Sequence, residues 1–220
     1  IKRRFGIYFK LFALLKRLLK VNKPEQHIPF FPLNIFLLPG EQMPLHIFEP
    51  RYRQLFNEAE SENVQFGLPF EDANLKRGYV SICRLLEVSK RYATGELDVI
   101  IESLTIGKLK SFESAYPSKL YPGGVVINEK DSYLNTTPID EVSEAFEKYI
   151  SLIEGKMPLD VTDFRLVDIA ASLKLSSTDK IKLIDTENVD KQNSILLRNL
   201  RYMNLLLDQE KSIENGFILN

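Results

Sequence analysis

The sequence predicts an α+β protein: a small, partly closed β-barrel over residues 24–134, followed by a helical bundle over 135–220. A basic segment, 1–23, precedes both. Three observations predict this. Between 24 and 134, apolar residues come in short runs bounded by proline and glycine, as in several short strands joined by turns. After 135 they recur every three to four positions, the helical period. Charge is also uneven. Residues 1–23 hold 8 Lys+Arg and no acid, and the other 197 hold 21 Lys+Arg and 30 Asp+Glu, a net charge of −9.

The first segment, from Lys2 to Lys20, reads as a basic amphipathic helix. Lys10, Lys16, Arg17 and Lys20 share one side. Phe5, Tyr8, Phe12, Leu15 and Leu19 centre on the other, the pattern of an interfacial membrane helix or a partner helix; the other reading is a helix packed on the body or a segment of no function. Lysines interrupt the apolar run too often for a spanning helix. No small-residue cleavage site follows, as a signal peptide would require. The first methionine is Met43, so Ile1 is not expected to be an ordinary start.

Pro24 and Pro29 then punctuate an extended entry. The apolar, proline-bounded stretch 30–40 reads as buried strand edges and turns. Residues 43–48 form a strand. Pro50 opens a short helix with Tyr52, Leu55, Phe56 and Ala59 on one face, ending near Ser61. Residues 66–70 are a short apolar run and 71–78 a polar loop. Strands are expected at 79–89, 96–104 and 105–113, the middle one buried on both faces. Residues 116–124 form a Pro/Gly loop and 125–127 a last strand.

In the bundle, Thr137-Pro138 is the expected start of a helix with the stripe Ile139, Val142, Phe146, Tyr149 and Ile153, stopping at Gly155. A second helix starts near Thr162 and carries Leu166, Ile169, Ala170 and Leu173. Ser177 or Thr178 caps a third, with Ile181 and Ile184. Asn188 caps a long fourth, with Leu196, Leu200, Met203 and Leu207, running to about Glu214.

The stretch Phe31-Pro32-Leu33-Asn34-Ile35-Phe36-Leu37-Leu38-Pro39-Gly40-Glu41-Gln42-Met43-Pro44-Leu45-His46-Ile47-Phe48-Glu49-Pro50-Arg51-Tyr52-Arg53 resembles the opening of the Lon protease amino-terminal domain. It looks closest to stand-alone bacterial proteins built from that domain. Gly78-Tyr79-Val80-Ser81-Ile82 and Ile101-Glu102-Ser103-Leu104 fit its second block. Leu173, Ser177, Asp179, Lys180, Leu196, Leu200 and Leu207 are similar to its helical part. The likeness covers about residues 27–212. It implies a PUA-like, partly closed β-barrel followed by a helical bundle, in a region associated with recognising substrate polypeptides. Asn34 departs from the pattern, since an acidic residue is common there in the protease itself.

Catalytic chemistry is not expected. A phosphate-binding loop needs Gly-x4-Gly-Lys-Ser/Thr. The two Gly-Lys pairs, Gly107-Lys108-Leu109 and Gly155-Lys156-Met157, do not fit. His27, His46 and Cys83 lack the spacing of a metal site, and no cofactor is implied. His46 is read as a hydrogen-bonded structural residue and Cys83 as a small buried hydrophobe. Asp98 and Glu102 read as a strand face. Pro39, Gly40, His46, Glu49, Pro50, Arg51 and Tyr52 are taken as structural, with Glu49 capping the helix and Arg51 pairing with a nearby carboxylate.

These readings favour a non-catalytic module that binds unfolded or exposed polypeptide segments, with a protease or another protein as a further partner. Tyr116, Leu120, Tyr121 and Leu75, in the loops at 71–78 and 114–124, are the candidate contacts. The alternatives are an RNA-binding PUA-like protein and a peripheral membrane adaptor anchored by residues 1–20. Residues 24–134 hold 11 Lys+Arg and 15 Asp+Glu, so nucleic acid is not favoured. A single cysteine suits a reducing compartment. The expected location is cytoplasmic, with attachment at the inner membrane as the variant reading.

Overall fold

The computed structural model describes residues 25–70, 78–128, 134–154, 163–186 and 188–218. Residues 1–23, Leu75, Gly155 and Thr162 lie outside them. Six strands come first: β1 Glu25–Pro29, β2 Gln42–Ile47, β3 Phe66–Phe70, β4 Tyr79–Arg91, β5 Leu97–Glu113 and β6 Gly123–Asn128. Helix α1, Pro50–Glu62, sits between β2 and β3. Helices α2 Asp140–Glu154, α3 Leu166–Ser172, α4 Ser177–Asp185 and α5 Val189–Ile218 follow.

Strand β5 organises the sheet. One edge pairs with β4 along nearly its whole length. The other pairs with β2 over Leu97–Glu102 and with β6 over Gly107–Glu113. The order is β1-β6-β5-β4-β3, with β2 attached to β5 and every pair antiparallel. The sheet curls until its two edges meet at the parallel bridge Phe30–Gly67. It does not close further, so the barrel is partly open.

Two strands were expected at 96–104 and 105–113; there is one, with a bulge at the junction. Ile82 faces Thr105 while Cys83 faces Ser103, so Leu104 is the extra residue. A bulge changes which side chains point inward. Leu97, Val99, Ile101 and Ser103 are buried before it and Ile106 after it, with Asp98, Ile100 and Glu102 half-buried between them. The expectation of burial on both faces is therefore corrected to alternation.

The bulge divides the core. Leu97, Val99 and Ile101 pack with Leu55, Phe56, Phe66 and Tyr121 beneath α1. Fully burying side chains such as Leu55 or Phe56 contributes roughly 1.5–3 kcal/mol each. Ile106 instead joins Phe36, Leu38, Phe70 and Tyr79 against Val142, Phe146, Ile169, Ile181, Leu196 and Leu200 of the helices. Barrel and bundle thus share one apolar core.

The stretch 30–40 forms no strand beyond the Phe30 bridge, yet its buried backbone is satisfied. Ser81 Oγ accepts from Leu37 N at 2.9 Å and donates to Leu37 O at 2.8 Å. Ser177 Oγ accepts from Phe36 N at 2.9 Å. Leaving such groups unmet would cost about 1–3 kcal/mol each. The stretch ends in a turn closed by Glu41 N donating to Leu38 O at 3.0 Å, with Gly40 at φ +86°. That conformation suits glycine.

The same turn fastens the bundle. The Glu41 carboxylate accepts from Leu38 N and meets Lys180 Nζ at 2.6 Å. The two side chains are 12% and 8% exposed. Burial pushes the Glu41 carboxyl above its usual range, though Lys180 and Leu38 N pull the other way.

Two helices start at other residues than the sequence predicts. Ser176, not Ser177 or Thr178, caps α4, accepting from Asp179 N at 3.1 Å. Ser177 is freed to hold Phe36. Helix α2 begins after Ile139, whose N–H is taken by Asn193 Oδ1 at 3.0 Å. Ile139 and Ile153 are exposed rather than part of the stripe, while Val142, Phe146 and Tyr149 are buried. Asn188 does cap α5, accepting from Lys191 N at 2.9 Å.

Candidate functional site

Phe30 fills the seam between β1 and β3. It is 0% exposed. Its ring lies against two glycines: a Cβ on Gly67 would sit 2.8 Å from it, and one on Gly124 2.6 Å. Phe112 of β5 stacks on Phe30 at 5.8 Å between ring centroids, but is itself 49% exposed. A register shift between Leu109 and Ser111, against β6, precedes it.

Beside this stack the chain leaves β3. Phe31 N donates to Gly67 O at 2.9 Å, and Pro32, Leu33 and Asn34 then turn away. The gap is a groove of about 470 Å3 lined by Pro32, Leu33, Asn34, Pro69 and Phe112. That volume falls within the roughly 300–1,000 Å3 typical of ligand sites. None of the five lining residues carries a charge.

The residues singled out from sequence are dispersed. Leu120 is 66% exposed, with its N–H on Gln54 Oε1. Tyr116 is half-buried, its ring 4.7 Å from His27 and 5.9 Å from Tyr121. Tyr121 is turned inward instead of forming a contact surface. It is 1% exposed and donates its hydroxyl to Glu58 at 2.5 Å. Burial and the Glu58 carboxylate both push its phenol up. None of the three belongs to the groove lining. Phe112 and Pro69 were not singled out; a bulge hides Phe112, since alternation fails across it.

The motif residues have local structural contacts. Glu49 is the α1 N-cap residue, but its side chain caps nothing and pairs with Arg51 at 2.8 Å. Arg51 lies 4.6 Å over the Tyr52 ring, and Tyr52 packs edge-on against Phe31 at 4.5 Å. Pro50 takes the first turn of α1, and Pro39 and Gly40 make the turn described above. His46 is exposed rather than set in an apolar face. Its Nδ1 lies 2.7 Å from Asp98 Oδ1, and this hydrogen bond holds the Asp98 carboxyl below its usual range.

The described cysteine, histidines and strand carboxylates sit in local contacts. Cys83 is fully buried and desolvation pushes its thiol up to about 12; a reactive cysteine needs the opposite. His27 pairs with Glu113 at 3.0 Å, far along the sheet from His46. Asp98 and Glu102 lie on the half-buried face of β5, Glu102 bound by Arg84 at 2.6 Å. Among the described residues no group of His, Cys, Asp or Glu is placed to hold a metal ion. No helix among them is long and apolar enough to cross a membrane. A second apolar surface is the outward stripe Tyr202, Leu205, Leu206 and Ile213 on α5.

Comparison with known proteins places this arrangement. A crystal structure of a Lon N-terminal domain protein from Xanthomonas campestris superposes with a TM-score of 0.58 at 18% identity, covering 79% of this chain and 98% of that one. The N-terminal domain of the Mycobacterium avium complex Lon protease gives 0.53 at 16%, covering 80% and 98%. These likenesses establish the fold. A search of curated proteins found no match. The profile of the ATP-dependent protease La (LON) substrate-binding domain matches residues 27–201, most of the chain, and the chain belongs to that family.

Proposed function

We propose that this chain is a non-catalytic module that holds exposed, apolar polypeptide segments in the groove beside Phe112. The observation that carries the reading is the groove itself. It is an uncharged, proline-walled opening at the barrel seam, floored by a half-exposed aromatic ring. Half-exposed aromatics in concave apolar sites are what polypeptide contacts are built from. The family description supports the same class of ligand. A protease or another protein that receives the bound segment is the further partner this reading entails. RNA is disfavoured, because no lining residue is a cation and phosphate contact supplies most of that affinity.

The test is titration of the full chain with fluorescently labelled unfolded peptides, with structured RNA in parallel. Apolar peptides should bind with a Kd of about micromolar order, little changed by salt. Phe112→Asp should weaken this by about tenfold or more while leaving the melting temperature close to wild type, since the ring is half in water. Silence on peptides with steeply salt-dependent RNA binding would reverse the reading.

A further inference from the structure

The groove looks at first like a place to add a strand. It runs along the outer edge of β3, and edge strands commonly recruit peptides by backbone pairing. The hydrogen-bond parity of β3 argues otherwise. Gly67 gives its carbonyl outward, to Phe31 N. Backbone groups alternate sides along a strand. Pro69 is therefore the next residue whose groups face outward, while Phe66, Leu68 and Phe70 face β4. Proline has no N–H. Past Gly67, the β3 edge keeps the Pro69 carbonyl as an acceptor but has no donor, so an incoming strand cannot close the reciprocal pairs of a ladder. The opposite wall has the same defect at Pro32. Prolines at these positions are how natural sheets blunt an edge.

What the groove does offer is surface. Phe112 stacks on Phe30 with an interplanar angle of 24°, and its other face is open. Pro32, Leu33 and Pro69 add apolar walls, and Asn34 is the lone polar side chain. A charged occupant would enter with nothing to pair its charge.

Resting on the polypeptide-binding reading, we infer that the groove captures bulky uncharged side chains of an unfolded segment without pairing to its backbone. Binding is then insensitive to chain direction and to backbone N–H groups. A segment is selected by what its side chains are, not by its ability to form a strand.

The test uses the full chain and one uncharged apolar peptide in three forms: all-L, retro-inverso all-D, and backbone N-methylated. The expected result is that all three affinities agree within about threefold, a gap smaller than one hydrogen bond would give. Pro69→Ala, which restores a donor for a peptide carbonyl, should open a gap of about fivefold between the all-L form and the retro-inverso form, whose amides are reversed. A tenfold or greater loss for the N-methylated or all-D form on the wild-type chain would overturn the inference while leaving the binding reading intact. Absence of binding by the all-L peptide would overturn both.

Discussion

Replacing Lys180 with methionine should cost about 3–5 kcal/mol of stability at neutral pH, and distinctly less at about pH 5. The magnitude follows from geometry. Lys180 Nζ reaches both oxygens of Glu41 and the Phe36 carbonyl, inside the contact between barrel and bundle. Removing it strands a carboxylate in a dry site. The pH dependence follows from sign. The Glu41 carboxyl is already raised by burial, despite its pairing with Lys180. Without the lysine it rises further. A carboxyl whose folded value is raised binds its proton more tightly when folded. Stability is then lost as pH climbs from the ordinary carboxylate range through the raised value. Below that window Glu41 is neutral, and the variant recovers. The Glu41→Gln, Lys180→Met double variant should return most of the loss, since the glutamine oxygen still accepts from Leu38 N. Urea denaturation of the wild type and the two variants at two pH values checks this. Equal losses at both pH values would contradict it.

Phe30→Ala should also cost about 3–5 kcal/mol, the usual penalty for emptying an aromatic site in a core. Its neighbours Ile28, Val80, Ile82 and Val126 form the small cluster that joins the barrel's edges. Gly67 and Gly124 lack side chains that would fill the space, so the site collapses poorly. Phe112→Ala, one ring further out, should cost under about 1 kcal/mol. Denaturant midpoints separate the two. Similar losses would mean that Phe112 is core and not ligand surface.

Much of the fold was legible in sequence because local signals agreed. Pro50 and the Tyr52–Ala59 spacing specify α1, and the 31–53 motif carries the family likeness. What was not legible was long-range. Nothing near Leu104 marks a bulge, yet that residue re-aims half of β5. Ser81 and Ser177 look like ordinary polar positions until Leu37 and Phe36 are seen to need partners. Tyr121 sits among prolines and glycines, like an exposed loop aromatic. It is buried because Glu58, 63 residues earlier, waits for its hydroxyl. The groove was invisible for the same reason. Its walls come from the 32–34 turn, Pro69 and Phe112, and only the curling of the sheet brings them together.

The most direct measurement is photo-crosslinking. An unfolded, uncharged peptide with a photoreactive phenylalanine would be irradiated on the full chain, and the adducts mapped by mass spectrometry. The account predicts adducts at residues 32–34, at Pro69 and at Phe112, lost on competition with unlabelled peptide. Competed adducts confined to Leu120 and its loop, or to the Tyr202–Ile213 stripe of α5, would contradict it.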